Sequence, residues 1–287
     1  MPTVFLNGEF LPSDQARIPV MDRGFLFGDG VYEVIPAYGG HLFRLQPHLQ
    51  RLDNSLRAVR IPNPYTEPQW QAILEQLLGE SVGTDQSVYL QVTRGVMERR
   101  DHAFPADLKP TVFAMSNPIP EPDPALAARG VAAISLDDIR WQSCHIKAIT
   151  LLPNVLLRQQ AVEAGAAEAI LLRDGEATEG AASNLFIVRD GILITPPKGP
   201  LLLPGITRDL VIELAARHDV PYRERPISEA ELRVADEVWL TSSTKEIMPV
   251  ATLDGEPVGD GRPGPLYRQM HAIYRKYKQA VREGRAG

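Results

Sequence analysis

A single cysteine, Cys144, occurs among 287 residues, so no internal disulfide can form and a reducing compartment is expected. As a residue type its expected place is that of a small buried hydrophobe. No stretch approaches the ~18 consecutive apolar residues of a membrane span. The first residues, Met-Pro-Thr-Val-Phe-Leu-Asn-Gly-Glu, lack the basic and apolar regions of an export signal, which adds to the expectation of a cytoplasmic protein. Charge of one sign is also missing as a long run: 30 basic residues stand against 36 acidic ones, a net of −6. That balance argues against nucleic acid or an anionic membrane as the main partner. Internal repeats and low-complexity segments are absent too. Several catalytic signatures are missing: a Gly-x-x-x-x-Gly-Lys-Ser/Thr loop, a Gly-x-Ser-x-Gly elbow, and the paired-His or Cys-x-x-Cys spacing of a metal centre. The run Gly24–Gly30 does not fit Gly-x-Gly-x-x-Gly, so no dinucleotide site is expected, and the six scattered histidines suggest no metal.

What remains is an ordinary globular composition, 44% hydrophobic and 23% charged, long enough for one or two domains. Val4–Leu11 reads as a hairpin closed by Asn7-Gly8, a pair suited to a two-residue turn. Strands are expected at 30–38, 87–93, 111–116, 131–135, 169–172, 185–188 and 192–195, with another leading into 241. Helices are expected at 45–59, where Leu45, Leu49, Leu52 and Leu56 share a face, and at 67–78, 153–164, 207–218 and 265–282. In the last, Leu266, Met270, Ile273, Tyr277 and Val281 form the predicted apolar stripe. Asn117–Pro124 holds four prolines and is expected to be neither helix nor central strand. The organisation predicted is a smaller N-terminal α/β domain over 1–117, a proline-rich linker over 118–124 and a larger C-terminal α/β domain over 125–287. Hairpins mixed with helices point to an α/β (α+β mixed) fold with mixed or antiparallel sheets, not a doubly wound parallel one.

Two residues stand out chemically. Lys147 lies in a segment, 139–153, with little charge around it, and a lysine in apolar surroundings can serve as nucleophile or base. That is what a Schiff base to an aldehyde cofactor requires. Glu179 is held among small residues, and a carboxylate facing a pyridine nitrogen is the other protein group that pyridoxal phosphate (PLP) chemistry uses. Leu203–Val211 places Gly205 and Thr207 at a helix start, a potential phosphate site or a plain capped connection. At 241–244 a strand runs into four hydroxyls, including Ser243, which equally fits a capping box over 243–246. Arg51 lies off the leucine stripe and on its own reads as a solvated surface arginine. The polar loop 92–105 carries Arg99, Arg100 and His102, able to fork onto a carboxylate or to form a solvated cluster. Tyr32 reads as a half-buried strand aromatic whose hydroxyl could meet the same anion.

Together these runs resemble the class IV (fold type IV) PLP-dependent aminotransferases, and within them most the D-amino-acid aminotransferases. The resemblance is carried by Asp22–Val34, Asp138–Trp141, Glu179 through Asn184-Leu185-Phe186, Leu193-x-Thr195, Leu203-x-Gly205-Ile206-x-Arg208 and Thr241–Ile247. It implies a two-domain fold and a PLP cofactor. It also implies that Lys147 holds the cofactor as an internal aldimine and shuttles the proton, with Glu179 at the pyridine nitrogen. Arg51, Ile206, Thr207 and Ser243 are similar in place to the phosphate cup, and Leu203 to a residue packed on the ring. Tyr32, Arg100 and His102 resemble the trap for the substrate carboxylate, the last two supplied by the neighbouring subunit of a homodimer. The implied reaction is ping-pong transamination from a D-amino acid such as D-alanine or D-glutamate to a 2-oxo acid such as 2-oxoglutarate. Branched-chain or (R)-amine transaminases and aminodeoxychorismate lyases share the fold. This chain departs from the pattern at Ala181 and Ala182, where serines are common, at Ser243, where threonine is common, and in a longer loop before Arg100.

Overall fold

Asn7 and Gly8 adopt φ of 52° and 105°, the left-handed pair that a two-residue hairpin turn needs. They join β1 (Thr3–Leu6) to β2 (Glu9–Pro12). This computed structural model describes residues 2–79, 84–121 and 123–285. The chain divides into two compact units. One comprises Met1–Pro120, Ile146–Thr150 and Lys278–Gly287; the other comprises Glu121–His145 and Leu151–Tyr277.

The first unit continues through α1 (Arg23–Phe27), β3 (Gly30–Tyr38), β4 (His41–Leu42), α2 (Leu45–Ala58), α3 (Glu67–Leu78), β5 (Gln86–Thr93) and β6 (Thr111–Pro118). Its sheet runs β2-β1-β6-β5-β3-β4 with every pairing antiparallel. Alternate residues of β5, Val88, Leu90 and Val92, are fully buried and meet Leu49, Leu52 and Leu56 of α2 and Trp70 and Leu74 of α3 in one core. Burying each such leucine contributes roughly 1.5–3 kcal/mol, so the leucine periodicity of α2 suffices to fix which face turns inward.

The second unit holds α4 (Pro124–Arg129), β7 (Val131–Asp137), α5 (Leu152–Glu163), β8 (Glu168–Arg173), β9 (Glu176–Gly180), β10 (Asn184–Arg189) and β11 (Ile192–Thr195). It goes on through α6 (Ile206–Arg217), β12 (Tyr222–Glu224), β13 (Ile227–Ser228), α7 (Glu229–Arg233), β14 (Glu237–Ser242), β15 (Glu246–Leu253), β16 (Glu256–Pro257) and α8 (Pro265–Arg282), whose residues from Lys278 on belong to the first unit. Its sheet is mixed, in the order β12-β11-β10-β14-β15-β7-β8-β9-β13, with β16 on β15. The parallel pairs are β11 with β12, β15 with β7, and β7 with β8. The mixed α/β architecture read from the sequence is therefore the observed one.

Local differences have physical reasons. Pro118 ends β6 where only β5 flanks it, so its missing N–H costs no second ladder bond, and Pro124 opens α4 behind the Asp123 cap. The proline run thus begins in a strand and ends in a helix; Pro122 lies outside the described residues. The buried stripe of α8 is Tyr267, Met270, Tyr274 and Val281, with Leu266, Ile273 and Tyr277 half-buried at its margin. Among the described residues no helix is long and apolar enough to cross a membrane.

Candidate active site

In the first unit, residues 146–150 run beside β3. The Tyr32 amide donates to the Lys147 carbonyl at 2.9 Å, the Ile149 amide to the Gly30 carbonyl at 3.1 Å, and Val31 bridges Ala148. The Lys147 amide donates to Ser55 Oγ of α2 at 3.2 Å. Its side chain is half-buried, with Nζ 4.2 Å from the centroid of the Tyr32 ring, which itself stacks on Tyr89 at 5.7 Å. Lysine and tyrosine are thus brought together.

Arg51 is not a solvated surface residue. It is 6% exposed, and its Nε and Nη2 donate to the two oxygens of Glu33, each at 2.8 Å. Glu33 Oε2 also pairs with His48 Nδ1 at 2.8 Å. Arg51 turns inward because Glu33 alternates onto the helix-covered face of β3, where a buried carboxylate must find a cation. Burial opposes ionisation of Glu33, but Arg51 and the His48 hydrogen bond hold it well below the usual carboxylate range. Burial also pushes His48 down against the pull of Glu33, and the Arg51 and Lys147 charges push the same way. Lys147 therefore has charged neighbours in space that its flanking sequence does not reveal.

Arg100 and His102 are exposed on the loop after β5. The His102 ring lies 5.3 Å from that of Phe27, and the Arg100 guanidinium 4.9 Å from the same ring. Arg99 is exposed and joins no such cluster among the described contacts.

The second unit holds Glu179 at the end of β9, 4% exposed. Arg140 Nη1 donates to Oε1 at 2.5 Å, and Oε2 accepts from Asn184 Nδ2 at 3.0 Å and from the Leu203 amide at 3.1 Å. A carboxylate offers about four acceptor positions, so one stays open to a further N–H. Burial pushes this carboxyl up, to about 7, against the charge and hydrogen bond of Arg140 and the Leu203 amide, with Asp138 adding to the rise. Arg140 is shared: its Nε and Nη2 also donate to Asp138 at 2.9 and 2.8 Å.

From Leu203 the chain turns through Gly205 into α6. A Cβ on Gly205 would fall 1.8 Å from Asn184 Oδ1, so only glycine passes there. Gly205 offers no side chain to cap α6, which leaves the amides of Ile206 and Thr207 open to an anion. Ser243 stands half-buried in the turn between β14 and β15, not at a helix start, and the neighbouring Thr241 hydroxyl is buried without a partner. A carboxylate with one open acceptor position, an uncapped helix terminus behind a glycine and an orphan hydroxyl suit a phosphorylated pyridine such as PLP. Sequence reasoning passed over Arg140, Asn184, Glu33 and His48 as working residues. All but His48 stand inside the motifs that carried the resemblance, which was the available signal.

Residues 30–253 match the family model described as amino-transferase class IV. The D-alanine aminotransferase of Bacillus licheniformis is 41% identical over 267 residues, 93% of this chain and 94% of that one. Among solved structures, the branched-chain amino acid aminotransferase of Escherichia coli superposes with a TM-score of 0.90 at 28% identity, covering 100% of this chain and 96% of that chain. A second branched-chain amino acid aminotransferase, from T.th. and solved with pyridoxamine 5'-phosphate, gives 0.92 at 25% identity, covering 99% and 96%.

Proposed function

Given that the chain belongs to the class IV aminotransferases, we propose that it transfers the amino group of a D-amino acid to a 2-oxo acid with PLP as cofactor. The observation that carries the cofactor reading is Glu179, buried, triply hydrogen-bonded and with one acceptor position left. The 41% identity to a D-alanine aminotransferase supports the substrate class over the branched-chain one, for which the likeness rests on 28% identity. When bound, PLP supplies an electron-withdrawing ring that stabilises negative charge developing at the substrate Cα.

Lys147 would hold the cofactor covalently, and its amine would move the proton at the substrate Cα. Glu179 keeps the ring nitrogen protonated, and Arg140 and Asn184 hold that carboxylate in place. The amides of Ile206 and Thr207, Arg51 oriented by Glu33, and Ser243 would be the groups to hold the phosphate, and Leu203 would be the residue to pack on the ring. Tyr32, Arg100 and His102 fix the substrate carboxylate, which decides the face of Cα presented to the lysine and hence the enantiomer. The test is spectroscopic. Purified holoprotein should be yellow and should bleach with D-alanine while L-alanine leaves the band intact. Bleaching by L-amino acids alone would favour the branched-chain reading, and a colourless protein after PLP addition would sink both.

A homodimer in the cytoplasm belongs to the same reading. Arg100 and His102 are exposed on their own subunit, as groups serving a partner's site would be. Leu152, Val155, Leu156 and Val162 of α5 are 49–69% exposed, at spacings that put most of them on one helical face. A second copy is the occupant we assign to this stripe. Leu156→Asp should convert the dimer to monomer in sedimentation, since an unpaired carboxylate buried in an apolar interface costs roughly several kcal/mol. An unchanged dimer would place the interface elsewhere.

A further inference from the structure

Arg23 is 3% exposed, yet it serves an exposed loop. Its backbone is fixed first: Asp22 caps α1 by accepting from the Gly24 amide at 2.7 Å, and also accepts from Thr93 and Thr111 hydroxyls at 3.0 and 2.7 Å. The Arg23 amide then donates to the Gly95 carbonyl at 2.9 Å. From that anchor the guanidinium reaches outward. Nη1 donates to the Asp101 carbonyl at 2.7 Å and approaches the Ala103 carbonyl at 3.5 Å, and Nη2 donates to the His102 carbonyl at 2.9 Å. Three consecutive carbonyls therefore converge on one buried cation. Its Nε donates to Asp29 at 2.7 Å, and Asp29 is gripped on both oxygens by Arg94, at 2.7 and 2.9 Å. The Arg23 guanidinium also lies 4.8 Å from the Phe27 ring that Arg100 and His102 approach.

The geometry points to Arg23 as the positioning residue of the carboxylate trap: it fixes the 101–103 backbone, and with it the aim of Arg100 and His102. The inference rests on the assignment of those two residues to the substrate carboxylate. A loop of polar residues with exposed side chains has little packing of its own to hold it, so its conformation depends on such backbone anchors. A bidentate carboxylate fork loses its advantage when displaced by about 1 Å. Arg23 touches neither substrate nor cofactor in this scheme. Its effect should therefore fall on substrate capture and enantiomer choice.

The experiment compares wild-type holoenzyme with Arg23→Gln, Arg100→Ala and the double variant, using D-alanine, L-alanine and 2-oxoglutarate. Arg23→Gln leaves Asp29 paired with Arg94, so the fold is expected to survive. KM for D-alanine should rise about tenfold or more with kcat changed less than about threefold. The D-to-L ratio of kcat/KM should narrow, and the cofactor band should be unchanged. Because Arg23 acts through Arg100 and His102, the double variant should lose clearly less than the product of the two single losses. Multiplying losses, or a KM left at the wild-type value, would overturn the inference. Should Arg23→Gln not fold, Arg23→Lys keeps a cation beside Asp29 but cannot span all three carbonyls. A raised KM in that variant supports the inference and a wild-type KM overturns it. A wild type inert toward D-alanine, or an Arg100→Ala variant with unaltered KM, would instead count against the assignment of function beneath it.

Discussion

Lys147→Ala should abolish transamination, lowering turnover by a factor on the order of 10⁴ or more, because both covalent attachment and proton transfer at Cα are lost together. The protein itself should remain folded. What ties residues 146–150 to β3 and α2 is backbone: the Lys147 carbonyl accepts from Tyr32 and its amide donates to Ser55, and alanine keeps both. The side chain contributes chiefly its place over the Tyr32 ring, worth about 0.5–1 kcal/mol at a partly exposed site. Cofactor should still associate through the α6 amides and Glu179, but reversibly. Reduction with borohydride should fix the cofactor to the wild-type chain and leave the variant chain unlabelled, as read by mass spectrometry. Sustained turnover by Lys147→Ala would refute the role given to this lysine.

The fold was legible where periodicity was long. The leucines of α2 set their own face, and the Asn7-Gly8 pair announced the first hairpin. Short elements were not: α1, α7 and β9 owe their existence to neighbours. Asp22 caps α1 with one oxygen while Thr93 and Thr111 hold the other, and β9 pairs with β8 and β13. The candidate site shows the same divide. Lys147 and Glu179 could be read from residue type and company. Arg51 could not, since its burial depends on Glu33, eighteen positions away on another element. Arg140 belongs to the same class, an arginine whose work is defined by two carboxylates from different parts of the chain.

Glu179→Gln is the second large expectation. The amide retains the shape of the carboxyl but brings two N–H donors to a place where Asn184 and the Leu203 amide already donate. One accepted bond must break, and no negative charge remains to keep a ring nitrogen protonated. Arg140 keeps its bidentate hold on Asp138, so it is not stranded and the unit should stay folded. Turnover should fall by about 10²–10³, as when a preorganised electrostatic partner of the reacting group is removed. The cofactor band should shift as well, because the ring nitrogen loses its charged partner. A pH signature separates this from a packing defect. Burial raises the folded carboxyl from 4.5 to about 7, so the folded apoprotein binds the proton more tightly than the unfolded chain does. The stability this contributes is present below the unfolded value and is lost as pH rises through the folded one. Wild-type apoprotein should therefore lose melting temperature between about pH 5 and pH 7 more steeply than Glu179→Gln, in which the group no longer titrates. Parallel melting curves for the two proteins across that range would mean that Glu179 is ionised throughout, with Arg140 outweighing its burial.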